Sequence, residues 1–195
     1  MEWFRNLLSR ITSSVENNFK RESDYIQMRL LVEDITDDFE KKLKLKTEDS
    51  ILYADIREAK EEDIKSIVNL YNLAWHSTSM PYHTLNENNL NEMMEDPDIV
   101  FLIAQVDSID SGFALIYYAG QNNEMGVIAG LGVIPELQHK GLGTILGLAV
   151  WSYFKKRGVK ELRCKVYKKN NVSYSFIKGL KFEEYEDDVV TWKFQ

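Results

Sequence analysis

The chain has 195 residues, of which 44% are hydrophobic, so it can bury the core of a globular domain, and its net charge of −7 disfavours nucleic acid as a partner. The single cysteine, Cys164, excludes an intramolecular disulfide, and three histidines without a Cys/His cluster argue against a bound metal. Because no apolar run reaches membrane-spanning length and the first residues lack the apolar core of a signal peptide, we expect a cytoplasmic protein without a membrane partner.

The first 49 residues carry a hydrophobic repeat that is typical of helices. Between residues 2 and 20, and again from Tyr25 to about Leu45, apolar side chains recur every three or four positions. We therefore predict a helical N-terminal extension, residues 1–49, that packs either on the rest of the chain or on a second copy of it in a homodimer. Trp3 and Phe4 also suit a helix lying on a membrane surface, but the polar face of this helix mixes both charges, which favours the packed helix.

From Ser50 onward, apolar runs separated by turn residues indicate an α/β protein. Asp107–Ser111 separates two strand runs and predicts a hairpin, and Asp96-Pro97 ends a helix. In chain order we predict a strand at Ile51–Arg57, a helix from Ala59 to Trp75, a polar and aromatic loop at His76–His83, a helix at Asn86–Glu95, and strands at Ile99–Val106, Gly112–Ala119 and Val127–Ile134.

The most informative stretch follows the last of these strands. The strand ends at Pro135, the loop Gln138–Gly143 reads QHKGLG, and an apolar helix begins at Leu142. Glycines let a backbone approach a ligand, and the unpaired N–H groups of a first helical turn carry positive partial charge, so this order predicts an anion site. The spacing fits neither a Walker loop, since Lys140 precedes its glycine, nor the G-x-G-x-x-G dinucleotide fingerprint.

The segment beyond this helix completes a pattern. A strand at Leu162–Val166 is followed by Asn170, with Ser173 three positions later and Phe182 further on. Together with the Leu-Gly-Val strand end and the Q-x-x-G-x-G loop, these residues make the chain from Ile51 to about Lys193 resemble the GNAT superfamily of acyl-CoA-dependent N-acyltransferases.

The GNAT resemblance implies a fold and leaves one chemical role open. The implied domain, residues 50–195, is of the α/β (α+β) class, with a mixed, mostly antiparallel sheet of six to seven strands and about four helices. Two positions depart from the family pattern, because Ile177 stands where the family has a tyrosine and Lys181 where it has a glycine. That tyrosine is the usual general acid of the family, so its role has no residue at the usual place.

The resemblance also implies acetyl-CoA, or a related thioester, as the cosubstrate. In the family the central strand splays from the next one, so that its backbone N–H groups bind the pantetheine arm and the thioester carbonyl. Asn170 would bond the pantetheine arm, although it suits equally well the N-cap of a helix over residues 171–179. The residues that correspond to the cofactor contacts are Leu131, Gly132, Val133, Gln138, His139, Lys140, Gly141, Leu142, Gly143, Thr144 and Asn170.

Acyl transfer to an amine needs an amine that has lost its proton, and a proton for the departing thiolate. Glu124, at the entry to the central strand, is the predicted general base, with a turn carboxylate as the plainer interpretation. Tyr174, one turn before Ile177, is the predicted substitute acid, although a thiolate can also leave without help. The loop side chains that we predict to contact the acceptor are His76, Tyr82 and His83.

The sequence thus predicts an N-acetyltransferase that moves an acetyl or short acyl group from acetyl-CoA to a primary amine of a small molecule or peptide. The alternative is a catalytically weak or inactive acyl-CoA-binding or assembly module whose N-terminal helices mediate oligomerisation. The acidic balance and the polar loop hint at a cationic acceptor without choosing among a small amine, a polyamine and a peptide N-terminus.

Overall fold

A computed structural model describes residues 24–48, 53–76, 78, 85–120 and 122–186. One seven-stranded sheet runs through these residues in the order β2-β3-β4-β5-β6-β1-β7. Its strands are β1 Tyr25–Leu31, β2 Ala54–Glu58, β3 Ile99–Val106, β4 Ile109–Ala119, β5 Met125–Val133, β6 Glu161–Tyr167 and β7 Glu183–Glu184. The α-helices of the described residues are α1 Asp37–Glu48, α2 Ile64–His76, α3 Glu87–Met94, α4 Leu142–Lys155 and α5 Asn171–Gly179.

The sheet is antiparallel except at its centre. Strands β5 and β6 are parallel, and α4 forms the crossover that a parallel pair requires. The other neighbouring strands pair in antiparallel fashion. The predicted fold class, a mixed and mostly antiparallel sheet with helices, is confirmed.

The segment from Tyr25 to Leu45 is not one helix, so that prediction is wrong over its first part. Tyr25–Leu31 is strand β1, and only Asp37–Glu48 is helical. The inward side chains Met28 and Leu30 are fully buried, and they alternate with residues that face the other side of the sheet. The segment therefore contains an apolar set with a period of two, Ile26, Met28 and Leu30, as well as a set with helical spacing, Tyr25, Met28 and Val32.

The edge of β6 decides between these two periods. All seven residues of β1 pair with β6, from Tyr25 opposite Tyr167 to Leu31 opposite Glu161. β1 thereby covers backbone groups of β6 that would otherwise form a sheet edge, which is a contact the local sequence does not reveal. The predicted division of the chain at residue 49 therefore separates two parts of one sheet. Residues 2–20, the other predicted helix, lie outside the described residues.

Helix α1 packs lengthwise against α4. The Lys155 ammonium at the end of α4 lies 3.7 Å from Asp37 and 3.6 Å from Glu40 in the first turn of α1. In the same turn of α1, the Phe39 ring lies 5.9 Å from the Trp151 ring between centroids. At the other end of α1, Thr47 lines a surface cleft together with Thr144 at the start of α4. The two helices therefore run in opposite directions, and the last turn of α1 lies beside the first turn of α4.

Two hydrophobic cores lie on opposite faces of the sheet. The larger one includes Trp151 and Phe154 of α4 and Met28 of β1, and all three are fully buried. The second core lies under α2 and α3 and contains Ile67, Leu90 and Phe113. Burial of these side chains is the dominant stabilising contribution, and it fixes the central strands between the two helical layers.

A charged pair fastens β2 to the start of α2. The Arg57 guanidinium donates two hydrogen bonds to Asp63, at 2.6 and 2.8 Å, and Lys60 N–H donates a third at 2.8 Å. The hydrogen bonds from Arg57, opposed by burial, lower the pKa of Asp63 below its usual value. Since the folded-state pKa is the lower one, this pair stabilises the protein above the unfolded pKa of about 4 and loses its effect as the pH falls through the folded value.

We expect Asp63→Asn to lower the free energy of unfolding by about 1–2 kcal/mol at pH 7 because it weakens a charge-assisted bidentate pair. Urea titrations of both proteins between pH 7 and pH 3 would measure this difference, which should shrink as the wild-type carboxylate becomes protonated. A difference that stays constant, or grows, on acidification would contradict the assignment.

Candidate active site

The ladder between β5 and β6 ends before either strand does. It runs from Met125 opposite Glu161 to Ile128 opposite Cys164, although β5 continues to Val133. At the same point the register between β4 and β5 shifts, and the extra residue, Ala129, is exposed. A bulge of this kind bends a strand and re-aims its side chains. The far half of β5 therefore borders a gap, which we call the β5–β6 gap.

The backbone of the far half of β5 presents two donors to this gap. The Ile134 N–H donates to Ser111 O, at 3.0 Å, in the direction of β4. Because backbone groups alternate in direction along a strand, the N–H groups of Leu131 and Val133 point the opposite way, towards β6. The Gln138 amide donates to Val133 O at 3.0 Å on this same side. The two predicted pantetheine contacts thus face the gap.

The glycine loop places a helix start directly after this strand. A 3-10 turn covers Pro135–Leu137, and Gly141 caps α4 in the left-handed conformation with φ of 87°. His139 is also left-handed, with φ of 58°, a backbone conformation that recurs in anion-binding nests. The buried Leu142 side chain anchors the loop in the larger core. His139 and Lys140 are exposed, and their side chains project outward.

The first turn of α4 supplies fewer donors than the sequence suggested. The Thr144 N–H already donates to Gly141 O at 2.8 Å, and Ile145 N–H donates to the same oxygen at 3.1 Å. Thr144 can still offer its side-chain hydroxyl to a ligand, since the residue lines a surface cleft beside the loop. The N–H groups of Leu142 and Gly143 precede this bonded pair and belong to the donors that a helix start exposes.

Asn170 has the capping role that the sequence left open. Its side-chain oxygen accepts a hydrogen bond from Ser173 N–H at 3.0 Å, and the residue is buried at the start of α5. The cap holds the first turn of α5 beside the end of β6, which lies on one side of the gap. The predicted pantetheine contact of Asn170 stays a prediction.

The two predicted catalytic residues are not brought together with the loop. Glu124 precedes Leu131 by seven residues, which in a strand corresponds to about 23 Å, so it lies at the far end of β5. There its carboxylate accepts the Asn122 N–H at 2.8 Å. It is thus too distant to take a proton from an amine near Leu131, and the turn carboxylate is the interpretation that the geometry favours.

The hydroxyl of Tyr174 points away from the gap. It donates to Glu184 of β7 at 2.5 Å, and β7 lies beyond β1 on the outer side of β6. This hydrogen bond to a carboxylate raises the pKa of Tyr174. Ile177, at the family's tyrosine position, is buried in the larger core and contributes packing. Burial raises the pKa of the Cys164 thiol to about 12, so that residue is an inert core side chain.

The face of β5 that packs under α2, opposite the face covered by α4, carries an aromatic cluster that the sequence analysis did not identify. The rings of Tyr71 and Trp75 on α2 stack at 4.7 Å, and both lie within 6 Å of the Phe113 ring. A side chain at Gly132 would meet a Phe113 ring carbon at 2.6 Å, so this glycine is required for the close approach. The alternating glycines Gly130 and Gly132 in β5 were the sequence signal for a bulky group packed against this face of the strand.

His76 ends α2 close to this aromatic cluster, and its side chain is exposed. Tyr82 and His83, the other predicted acceptor contacts, lie outside the described residues. On β4, burial raises the pKa of Tyr117 to about 12, so its hydroxyl keeps its proton at neutral pH.

Within the described residues no helix is long and apolar enough to cross a membrane, and no three His, Cys, Asp or Glu side chains are grouped to hold a metal ion.

Comparison with known proteins decides the family. A family model described as the acetyltransferase (GNAT) family matches residues 67–182, which is more than half of the chain. The chain belongs to the GNAT acetyltransferase family. The matched region contains the β5–β6 gap, the glycine loop and α5, and the prediction of a GNAT-type acetyltransferase is confirmed.

Individual GNAT relatives agree with this assignment. The spermidine N(1)-acetyltransferase of Thermoplasma acidophilum is 28% identical over 147 residues, which cover 67% of this chain and 89% of that protein. The crystal structure of the PaiA N-acetyltransferase from Thermoplasma acidophilum, in complex with coenzyme A, is 24% identical with a TM-score of 0.57 over 65% of this chain and 87% of the other. An aminoglycoside N-acetyltransferase, AAC(6')-Iy, bound to a bisubstrate analogue, is 22% identical with a TM-score of 0.57 over 69% of this chain and 93% of the other. The last two similarities concern the fold.

Proposed function

We propose that this GNAT protein transfers an acetyl group from acetyl-CoA to a primary amine of a small molecule. The observation that supports this most directly is the β5–β6 gap, where two backbone donors lie next to the glycine loop. A thioester carbonyl bonded to such donors is polarised, and negative charge that develops on its oxygen is stabilised without reorganisation. The loop would hold the pyrophosphate, which fixes the thioester at attack distance.

The aromatic cluster, in which partly exposed Tyr71 and Trp75 cover the buried Phe113, supports the choice of a small amine. It lies on the other face of the strand that would hold the thioester, so an acceptor resting there could approach the carbonyl from that side. Protonated amines are attracted to the faces of aromatic rings, and a net charge of −7 favours the approach of a cation. The spermidine acetyltransferase relative, whose named acceptor is a small polyamine, agrees with this proposal.

The chemistry we propose depends on positioning more than on a side-chain acid. The nitrogen of the neutral amine bonds to the carbonyl carbon and gives up a proton to solvent, the carbon–sulfur bond breaks, and coenzyme A leaves as a thiolate. The Tyr174 hydroxyl is hydrogen-bonded to Glu184, and Ile177 has no titratable proton. We therefore propose that solvent supplies the proton that the thiolate finally accepts. Among the described residues of the predicted acceptor loop, His76 has a titratable side chain. We propose that it contacts the acceptor.

An acetylation assay tests the proposed function. Purified protein is mixed with acetyl-CoA and, in separate reactions, with spermidine, an aminoglycoside and a peptide with a free N-terminus, while free thiol is measured. We expect amine-dependent release of coenzyme A with at least one of the two small amines. If acetyl-CoA binds but no amine increases thiol release, the protein is an acyl-CoA-binding module, which is the alternative that the buried Ile177 favours.

We expect Tyr174→Phe to retain kcat within a few fold at every pH, because its hydroxyl donates to Glu184 and lies outside the gap. Loss of a general acid typically costs about 100-fold or more in rate. Steady-state assays from pH 6 to pH 9 would measure both the rate and any change in the alkaline limb of the profile. A 100-fold loss of kcat, or the disappearance of that limb, would restore Tyr174 as the acid.

A further inference from the structure

Helix α1 reaches the glycine loop although it lies outside the region that matches the GNAT family, residues 67–182. Its first turn is held at the far end of α4 by Lys155 and by the contact between Phe39 and Trp151. Further along α1, Leu43 and Thr47 line a cleft together with Gly141 and Thr144. Its last two turns therefore lie beside the start of α4. The position of α1 is thus fixed by contacts that do not involve a ligand.

A surface cleft opens where α1, the loop and α5 meet. Its volume is about 220 Å³, and we call it the α1–α5 cleft. Each of the three elements contributes residues to its lining. These include Leu43 and Thr47 of α1, Gly141 and Thr144 of the loop and α4, and Ser175 and Phe176 of α5. Gly141 and Thr144 also belong to the loop proposed to hold the pyrophosphate, so the cleft is continuous with the proposed cofactor site.

The chemistry of the cleft suits a flat heterocycle attached to a sugar and a phosphate. Leu43 and Phe176 give it apolar walls, and three hydroxyl side chains line it among them. Two exposed lysines, Lys44 and Lys140, directly follow or precede the lining residues Leu43 and Gly141 in the chain, so positive charge lies near the cleft. An aromatic ring can stack on a purine, and the lysines would complement phosphate groups.

The order of groups along coenzyme A assigns this cleft to one end of the molecule. The thioester and pantetheine arm would lie at Leu131 and Val133, and the pyrophosphate at the start of α4. The Phe176 ring lies 3.4 Å from a Cβ placed at Gly143, so it borders the route from the gap to the cleft. The adenosine is the part of coenzyme A that remains beyond the pyrophosphate.

We propose that α1 forms one wall of the adenosine subsite, with Leu43 and Thr47 as its contact residues. This inference rests on the proposed use of acetyl-CoA. It makes the N-terminal segment part of the cofactor site, and it predicts that α1 distinguishes complete acetyl-CoA from a thioester that lacks adenosine.

The test compares two ligands and two variants by calorimetry. The ligands are acetyl-CoA and S-acetyl-4'-phosphopantetheine, which lacks the adenosine together with its two phosphates. The variants are Thr47→Trp, which fills the cleft from α1, and Lys41→Trp, a matched control at an exposed position on another side of the same helix. We expect Thr47→Trp to weaken acetyl-CoA binding by about tenfold or more and to leave binding of the shorter thioester unchanged, whereas Lys41→Trp should change neither affinity.

A second measurement uses only the wild-type chain, so it does not depend on the stability of a variant. Hydrogen exchange of the amides of residues 43–48 should slow with saturating acetyl-CoA and not with saturating S-acetyl-4'-phosphopantetheine. Equal affinity of wild-type protein for both ligands, or equal weakening of both by Thr47→Trp, would overturn the inference while leaving the proposed function intact. Failure of wild-type protein to bind either thioester would overturn both.

Discussion

Replacing Gly143 with valine is expected to weaken acetyl-CoA binding by about 100-fold or more while the protein stays folded. A Cβ at this position would lie 3.4 and 3.5 Å from carbons of the Phe176 ring and 4.0 Å from Leu131, so the backbone accepts a side chain there. The added methyl groups would then occupy the space between Leu131 and Phe176 through which the pantetheine arm would pass. Valine also has a higher helix propensity than glycine, so the helix itself is not weakened.

Thermal melting with and without acetyl-CoA, followed by calorimetry, would measure this effect, since a ligand that binds only the folded state raises the melting temperature. The matched control is Ser152→Val, which places the same side chain on α4 about two and a half turns beyond the loop. Gly141 is a poorer test because its φ of 87° would strain any other residue. If Gly143→Val shows the full wild-type shift, the assignment of the loop to the cofactor is wrong.

Removing residues 1–48 is expected to leave a chain that does not fold on its own. The deletion takes away β1 and α1, with the buried side chains Met28, Leu30, Ile35 and Leu43. Truncation of a single buried Leu, Ile or Met to alanine costs about 2–5 kcal/mol, so the loss of four costs about 8–20 kcal/mol, which is as large as the whole stability of a domain, about 5–15 kcal/mol. Circular dichroism of the truncated protein would report the missing cooperative transition.

A point variant separates this prediction from general effects of truncation. Met28→Ala should lower the free energy of unfolding by about 2–5 kcal/mol, since this side chain is fully buried against the larger core. Lys42→Ala, at an exposed position of α1, should change it by less than about 0.5 kcal/mol. A truncated protein that melts cooperatively near the wild-type temperature would show that β1 and α1 are dispensable.

The central part of the fold could be predicted from sequence because local signals and tertiary structure agree there. Ile99–Val106 is a strand with the predicted bounds, and the helix predicted from Leu142 begins at that residue. The segment Tyr25–Leu31 could not be assigned in this way, since its side chains satisfy both a helical and a strand period. What decides between them is an unfilled edge on β6, which lies far away in the sequence.

In the candidate site too, some features follow from local sequence and others depend on tertiary structure. Backbone donors follow from the order of strand, loop and helix, so the position of Leu131 and Val133 beside the gap, and of the loop glycines before α4, could be predicted from a motif. Their contact with the cofactor stays a prediction. Side-chain roles depend on distance and direction, which the motif does not contain. Glu124 lies at the wrong end of its strand for proton transfer, and the Tyr174 hydroxyl turns towards β7 instead of the gap.

The place of β1 in the sheet has a consequence for how the chain matures on the ribosome. Tyr25 pairs with Tyr167, which is synthesised 142 positions later. At a translation rate of about 5–20 residues per second, β1 waits roughly 7–30 s before its partner strand is even made. Native contacts of such large sequence separation raise the contact order and slow folding. Of the strands in the described residues, the one that is translated first is therefore among the last to find its partner, and during that interval an apolar segment of the nascent chain is open to chaperones.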